Sequence, residues 1–289
     1  MPKAKMSKIP FPLAKKPFQR IFIDTLPGTI KDLNLESRPF PCYLFIVDQY
    51  TRWIALVGMW GYSSKAAVDS LTKWYTQNGG IVKLQMIEYV RSDAGTQFTS
   101  EEFQAFCQLH TIKCELAAPK HQEMNSICES NWKRVKYMSN KLLIQAGLST
   151  HFQYFSRLYA IDILNVMPTG ALTKEQRKLT TPFELVHGYK PSLNKYHTFG
   201  CPVVFKKYNL DAKATQQGVR GIFLGFPPNQ AGYLIYMEKP IQGHGHYMIS
   251  KDVSFDDNFD SALVTNLHTF RGGLNLRSLG NGHVEPLEF

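Results

Sequence analysis

The sequence predicts an α/β chain in which a mixed sheet flanked by helices is followed by a small antiparallel barrel. Three observations carry that prediction. A first apolar run is followed by a hairpin, and then strand-length runs alternate with helical patterns, the order that builds a mixed sheet with helices on its faces. A long amphipathic pattern then begins near position 125. From about position 199 the text changes to short β-runs punctuated by Gly, Pro and Asn.

Each element has its own signal. Residues 20–26 are nearly all apolar and rich in isoleucine and phenylalanine, as a buried central strand requires. Residues 43–48 and 53–59, joined by a short polar turn, predict a hairpin. Ser63 and Ser64 open a helix with Ala67, Val68, Leu71, Trp74 and Tyr75 on its apolar side, and Asn78-Gly79-Gly80 stops it. Residues 83–90 predict a fourth strand, with Asp93 in the turn after it. Thr99 and Glu102 have the spacing of a capping box for a helix holding Phe103, Phe106, Cys107 and Leu109. A fifth strand is expected at 112–116, then a polar loop over 118–124. Asn125 is placed to cap the long helix, which should run to about Gln145 before Gly147. A further helix is expected at 152–167 and a short one entered through Pro182.

Composition narrows the class. At 289 residues the chain suits one large and one small domain, and its 44% hydrophobic content is enough to give both a packed core. No apolar run approaches the ~20 residues a membrane helix needs, and no signal-peptide pattern opens the chain, so insertion and secretion are disfavoured. Five scattered cysteines without a C-x-x-C pair indicate neither a disulfide framework nor a zinc knuckle, and fit a reducing compartment. His244 and His246 lack a third ligand nearby; polar alternation on an exposed strand is the commoner origin of such a pair. The net charge of +10 suits a polyanionic partner or plain solubility. Lys3, Lys5, Lys8, Lys15, Lys16 and Arg20, with no acidic residue among the first twenty, read as an extended basic arm or as a solvated tail.

The chemistry lies in three acidic residues. Asp24 closes the run RIFID, Asp93 follows IEYVRS, and Glu129 sits in NSICESNWK, with thirty-five residues between the last two. Carboxylates at strand ends and on a helix beside the sheet are what binding two hard divalent cations for phosphoryl transfer requires. Taken singly, each has an ordinary explanation: Asp24 a strand-end turn former, Asp93 a turn starter before Gly95, Glu129 a first-turn acid favoured by the helix dipole. Asp48 also ends an apolar run and reads as structural. Along the long helix, Asn125, Glu129, Lys133, Lys136 and Asn140 share one stripe, while Cys128, Val135 and Leu142 fall on another.

The letters around these residues, SDAGTQFTS at Asp93 and the 125–129 run opening a helix, resemble the catalytic motifs of integrases from retroviruses and copia-type retrotransposons. The resemblance implies a ribonuclease H-like core at 19–190, an SH3-like barrel at 198–260, a basic arm at 1–18 and a tail at 261–289. It implies that Asp24, Asp93 and Glu129 are the catalytic metal ligands for two Mg²⁺ ions, with Mn²⁺ able to substitute. It further implies that Asn125, Lys133 and Lys136 contact DNA ends; a solvated face with a Glu129–Lys133 pair is the alternative. The activity implied is 3′-end processing and strand transfer of element cDNA. The partners implied are double-stranded DNA and further copies of the chain, as a dimer or tetramer, acting in the nucleus after a cytoplasmic virus-like particle stage.

Two departures stand out. Copia-type elements usually carry a glycine after the asparagine and a basic run after the glutamate, where this chain has Ser126 and Ser130-Asn131-Trp132. The zinc-binding His/Cys domain that precedes the core in the family is not in this sequence, so no zinc is expected and the chain reads as a fragment or processed form. A DNA- or chromatin-binding protein derived from such an element and lacking catalysis is the rival reading. A plain ribonuclease H-like nuclease is disfavoured by the appended barrel.

Overall fold

The computed structural model describes residues 13–28, 40–77, 80, 82–116, 126–169, 181–206, 218–228, 230–241 and 245–258. Most of the expected basic arm, the tail, Asn125, Lys207 and His244 lie outside them.

The first half forms a five-stranded sheet from β1 (Arg20–Pro27), β2 (Cys42–Asp48), β3 (Ile54–Met59), β4 (Tyr89–Ser92) and β5 (Lys113–Leu116), in the order β3-β2-β1-β4-β5. β1, β2 and β3 are antiparallel, and β4 and β5 run parallel to β1. This is the mixed sheet flanked by helices that the sequence predicts. β2 is buried at every position because helices cover both its faces. Ile21, Ile23, Leu44 and Ile46 face one layer, made of α1 (Ser64–Thr76) and α3 (Glu101–Leu109). Phe22, Leu26, Tyr43, Phe45 and Val47 face the other, made of α4 (Ser126–Ala146) and α5 (Gln153–Val166). Each such side chain, fully buried, contributes about 1.5–3 kcal/mol.

Local chemistry sets the boundaries, and two differ from expectation. The expected strand at 83–90 is a 3-10 turn, Leu84–Met86, followed by the shorter β4. Leu84 and Ile87 still reach the core, but as turn residues spaced three apart. The expected Thr99 cap is displaced because Thr96–Thr99 is itself a helical turn, α2, so Thr99 donates its hydroxyl back to Gly95 O. Ser100 takes the extended cap position instead and accepts from Phe103 N. The short helix expected to be entered through Pro182 is α6 (Pro182–His187), and Thr181 and Glu184, not foreseen as caps, form a reciprocal capping box for it.

Asp48 is structural, as read. It is 1% exposed and accepts from Phe18 N, Thr51 N and Thr51 Oγ1, which pins the β2–β3 turn. At the β3 edge, Asn165 of α5 accepts from Ile54 N and donates to Ile54 O, both at 2.9 Å, so a side chain satisfies the backbone there. Arg20 and Lys16 are drawn into the fold through Glu115 and Glu88.

A second sheet, wholly antiparallel, comprises β6 (Pro202–Lys206), β7 (Gly218–Gly225), β8 (Tyr233–Ile241), β9 (Gly245–Ser250) and β10 (Val253–Phe255), in the order β10-β6-β7-β8-β9. Its apolar face shares a core with the end of α4 and with α5: Leu143, Ala146, Phe155 and Tyr159 pack with Val203, Ile222, Phe223 and Ile235. Gly200, at φ 76°, is required at the seam, since a Cβ there would lie 2.4 Å from Ala146 Cβ. Asp257 fastens the far end, accepting from Thr198 N at 2.7 Å and meeting His197 Nδ1 at 2.8 Å.

Candidate active site

The parallel pairing of β1 with β4 sets Phe22 opposite Arg91. Two residues further along come Asp24, still within β1 and paired with Phe45, and Asp93, just past the end of β4, so the two lie beside each other where β4 stops. Asp93 is exposed in the loop after β4 and accepts from Gly95 N at 3.2 Å. The Asp93 and Gln97 side chains close over Gly95: a Cβ there would lie 3.0 Å from Asp93 Oδ1 and 2.6 Å from Gln97 Nε2. Gln97 reaches across to donate to Thr25 Oγ1, next to Asp24, at 3.1 Å, and so braces the Asp93 loop against β1.

Glu129 lies exposed in the first turn of α4, where the helix dipole favours an acid. The helix is held by its other side. Cys128 and Val135 are buried against the sheet, Trp132 meets Phe45 edge-on at 5.4 Å, and Arg157 from α5 lies 5.2 Å over the Trp132 ring. Asn131 turns inward and donates to Ile127 O at 2.8 Å. Where the family carries a basic run, this chain thus has two packing residues. Lys133 and Lys136 are exposed on the Glu129 side, and among the described residues Glu129 and Lys133 form no ion pair.

Electrostatics tie the three carboxylates together. Burial, then the Asp93 charge, then Glu129 push Asp24 up to about 6, against a backbone hydrogen bond from Thr25 that lowers it. The buried Cys128 thiol feels all three: burial raises it well above the usual thiol value, and Asp24, Asp93 and Glu129 add to the rise. Among the described residues none of the three forms a salt bridge. The donor set is oxygen-only, which suits a hard divalent cation. As the side chains stand, no three His, Cys, Asp or Glu among the described residues close around one point.

The sequence did not reveal the charged cluster that flanks this corner. Arg20, Arg91 and Glu115 come from three strands: Arg20 donates to Glu115 through Nε at 3.1 Å and Nη2 at 2.9 Å, and Arg91 Nη1 lies 3.7 Å from Glu115. Only the register of β4 and β5, with Arg91 opposite Glu115, brings them together. On the second sheet Arg220 is exposed on β7, and His246, half of the histidine pair considered as metal ligands, is occupied with Met237 O and the Tyr236 ring.

Comparison with known proteins bears on this corner. Residues 14–122 match the integrase core domain family, a span that includes Asp24 and Asp93 and ends before Glu129. The chain is 24% identical over 274 residues to the retrovirus-related Pol polyprotein from transposon RE1 of Arabidopsis thaliana, covering 90% of this chain and 17% of that protein. The RE2 polyprotein of the same plant is 23% identical over 271 residues, covering 91% and 17%. The chain therefore spans about a sixth of these relatives. Among solved structures, the HTLV-2 integrase catalytic core domain in complex with magnesium aligns with a TM-score of 0.42 and 17% identity over 60% of this chain and 99% of that one. A simian T-cell lymphotropic virus intasome in complex with a PP2A regulatory subunit aligns at 0.47 and 15%, over 84% and 80%.

Proposed function

Starting from an integrase core domain at residues 14–122, in a chain whose relatives are copia-type retrotransposon Pol polyproteins, we propose that this protein processes the 3′ ends of element cDNA and joins them to target DNA. The observation that carries the reading is the approach of Asp24, Asp93 and Glu129: three carboxylates from β1, the loop after β4 and α4, of which Asp93 and Glu129 lie near enough to raise Asp24, all left without a salt bridge among the described residues.

Asp24, Asp93 and Glu129 would hold two Mg²⁺ ions, or Mn²⁺ in their place. Bound there, the ions would polarise the scissile phosphate and activate water or a 3′-hydroxyl, so that no protein general base is called for. The chain's own part is positional. β1 and β4 fix two carboxylates beside each other where β4 stops, Gln97 steadies the loop between them, and Trp132 seats α4 so that Glu129 faces the same corner. Lys133 and Lys136, one and two turns beyond Glu129, would grip phosphates by charge, adding affinity and register but no sequence information. Asn125, just ahead of α4, is assigned to the DNA end on the family pattern.

The second sheet is read as an SH3-like barrel, its last strand pairing with its first. It would contact DNA or a neighbouring copy, with Arg220 an exposed candidate. Joining two ends at one target calls for at least two active sites, hence an oligomer acting in the nucleus. The test is a strand-transfer assay on short duplexes mimicking retroelement ends, in Mg²⁺ and in Mn²⁺, with Asp93→Asn beside the native chain. Joined products reduced at least ~10³-fold in the variant are expected. Equal product from both proteins would remove the carboxylates from the mechanism. No product from either, with DNA binding intact, would leave a binding protein.

A further inference from the structure

β3 is an edge strand of the first sheet, and only part of its outer edge is closed. In an antiparallel ladder, backbone groups of successive residues point alternately to the neighbouring strand and away from it. Ile54 points away, since Asn165 meets both its N–H and its C=O. By the same alternation Leu56 and Gly58 point away, while Ala55, Val57 and Met59 turn toward β2. Ser70 Oγ donates to Gly58 O at 3.3 Å. That leaves Leu56 N–H, Leu56 C=O and Gly58 N–H without a hydrogen-bond partner among the described residues, although Leu56 is only 8% exposed and Gly58 is buried. Buried backbone groups are nearly always paired, and a row of them at strand spacing is what an added strand pairs with.

The row lies along a cleft of about 230 Å³, walled by Lys73 and Trp74 of α1, by Phe155 and Leu158 of α5, and by Phe226 just past β7. Lys73 is exposed, is the one charged residue lining the cleft, and forms no ion pair among the described residues. The two walls belong to opposite faces of the strand: Val57 packs with the α1 layer and Leu56 with the α4/α5 layer. A residue laid opposite Val57 therefore points toward Lys73, and its two neighbours point toward α5.

We propose that the β3 edge takes up an extended segment of a partner protein that carries an acidic residue between two apolar ones. The acid faces Lys73, and its neighbours lie against Phe155 and Leu158. Leu56 donates to and accepts from the backbone of the segment, and Gly58 N–H donates to it. Asn165 at Ile54 and Ser70 at Gly58 O end the pairing at either side, so the paired stretch is three residues long. The surface is separate from the carboxylate corner, with β2 between β3 and β1.

The test titrates a capped, fluorescein-labelled peptide, Ser-Thr-Val-Asp-Val-Thr-Ser, into the whole chain and follows its anisotropy, beside a second peptide with lysine in place of the aspartate. Saturable binding of the first and about 5-fold weaker binding of the second are expected, with the order of the two reversed in Lys73→Glu. Amide exchange supplies the backbone readout. The first peptide should slow exchange at Leu56 and Gly58 at least ~10-fold and leave Ile54, already met by Asn165, unchanged. Binding that leaves those two amides as fast as before overturns the proposal, as does an unchanged preference in Lys73→Glu or no binding below about 1 mM. So does sedimentation of the peptide-free chain as a dimer whose Leu56 and Gly58 amides are already slow, since a second copy is then the occupant.

Discussion

β1 carries a charge cluster toward each end, built in opposite ways. Arg20, Phe22 and Asp24 alternate onto one face of the sheet. At the Arg20 end, two buried guanidinium groups share Glu115; burial pushes Arg91 down and Glu115 pushes it back. At the Asp24 end, burial and two like charges raise a carboxylate with no opposing salt bridge among the described residues. The same strand that pairs its charges at one end leaves them in conflict at the other. Desolvation is offset by pairing in the first case and left standing in the second.

The largest effect should come from breaking the paired end. Glu115→Ala leaves two buried cations facing each other and should cost about 3–5 kcal/mol in urea unfolding; a loss under about 1 kcal/mol would mean that solvent screens the cluster. Asp48, opposite Ile21 near that same end, is a buried carboxylate satisfied by neutral donors. Burial outweighs its hydrogen bonds and raises it from 3.8 to about 6, so the folded chain holds the proton more tightly and stability falls as pH climbs through that window. Asp48→Asn should therefore gain on the native chain between about pH 4 and about pH 7, and urea midpoints at both values that differ by a constant amount would contradict this. At the conflicted end, Asp24→Asn should stabilise the metal-free chain by something on the order of 1 kcal/mol. It should also abolish the rise in Tm that Mg²⁺ gives the native chain; an undiminished rise in calorimetry would put the ion elsewhere. Smallest, Lys133→Ala and Lys136→Ala should each lower the slope of log K against log salt for duplex DNA by roughly 1. Unchanged slopes would return both lysines to solvent.

How much of this could be read from the letters differs by region. The β1–β3 meander was legible because buried strands are written as continuous apolar runs. The 83–90 stretch misled because Leu84 and Ile87 are apolar for the sake of burial, which a turn achieves as well as a strand. Thr99 and Ser100 are equally good caps by composition; the extra helical turn at Thr96–Thr99 that decides between them is too short to leave a periodic apolar pattern. The Arg20–Glu115 pair spans ninety-five positions and exists only once the strand register is known. The rise of Asp24 beside Asp93 and Glu129 likewise belongs to the fold, since no spacing in sequence states which strands are neighbours.

The seam between the two sheets has a mechanical consequence. α4 holds Glu129 in its first turn, and its last turn, at Leu143 and Ala146, is embedded in the apolar core of the second sheet. A helix of 21 residues is about 31 Å of stiff rod. Whatever docks on the second sheet leans on one end of that rod, and the other end bears a carboxylate of the candidate site. One stiff helix is thus rooted in both cores, by Cys128 and Val135 at the Glu129 end and by Leu143 and Ala146 at the other.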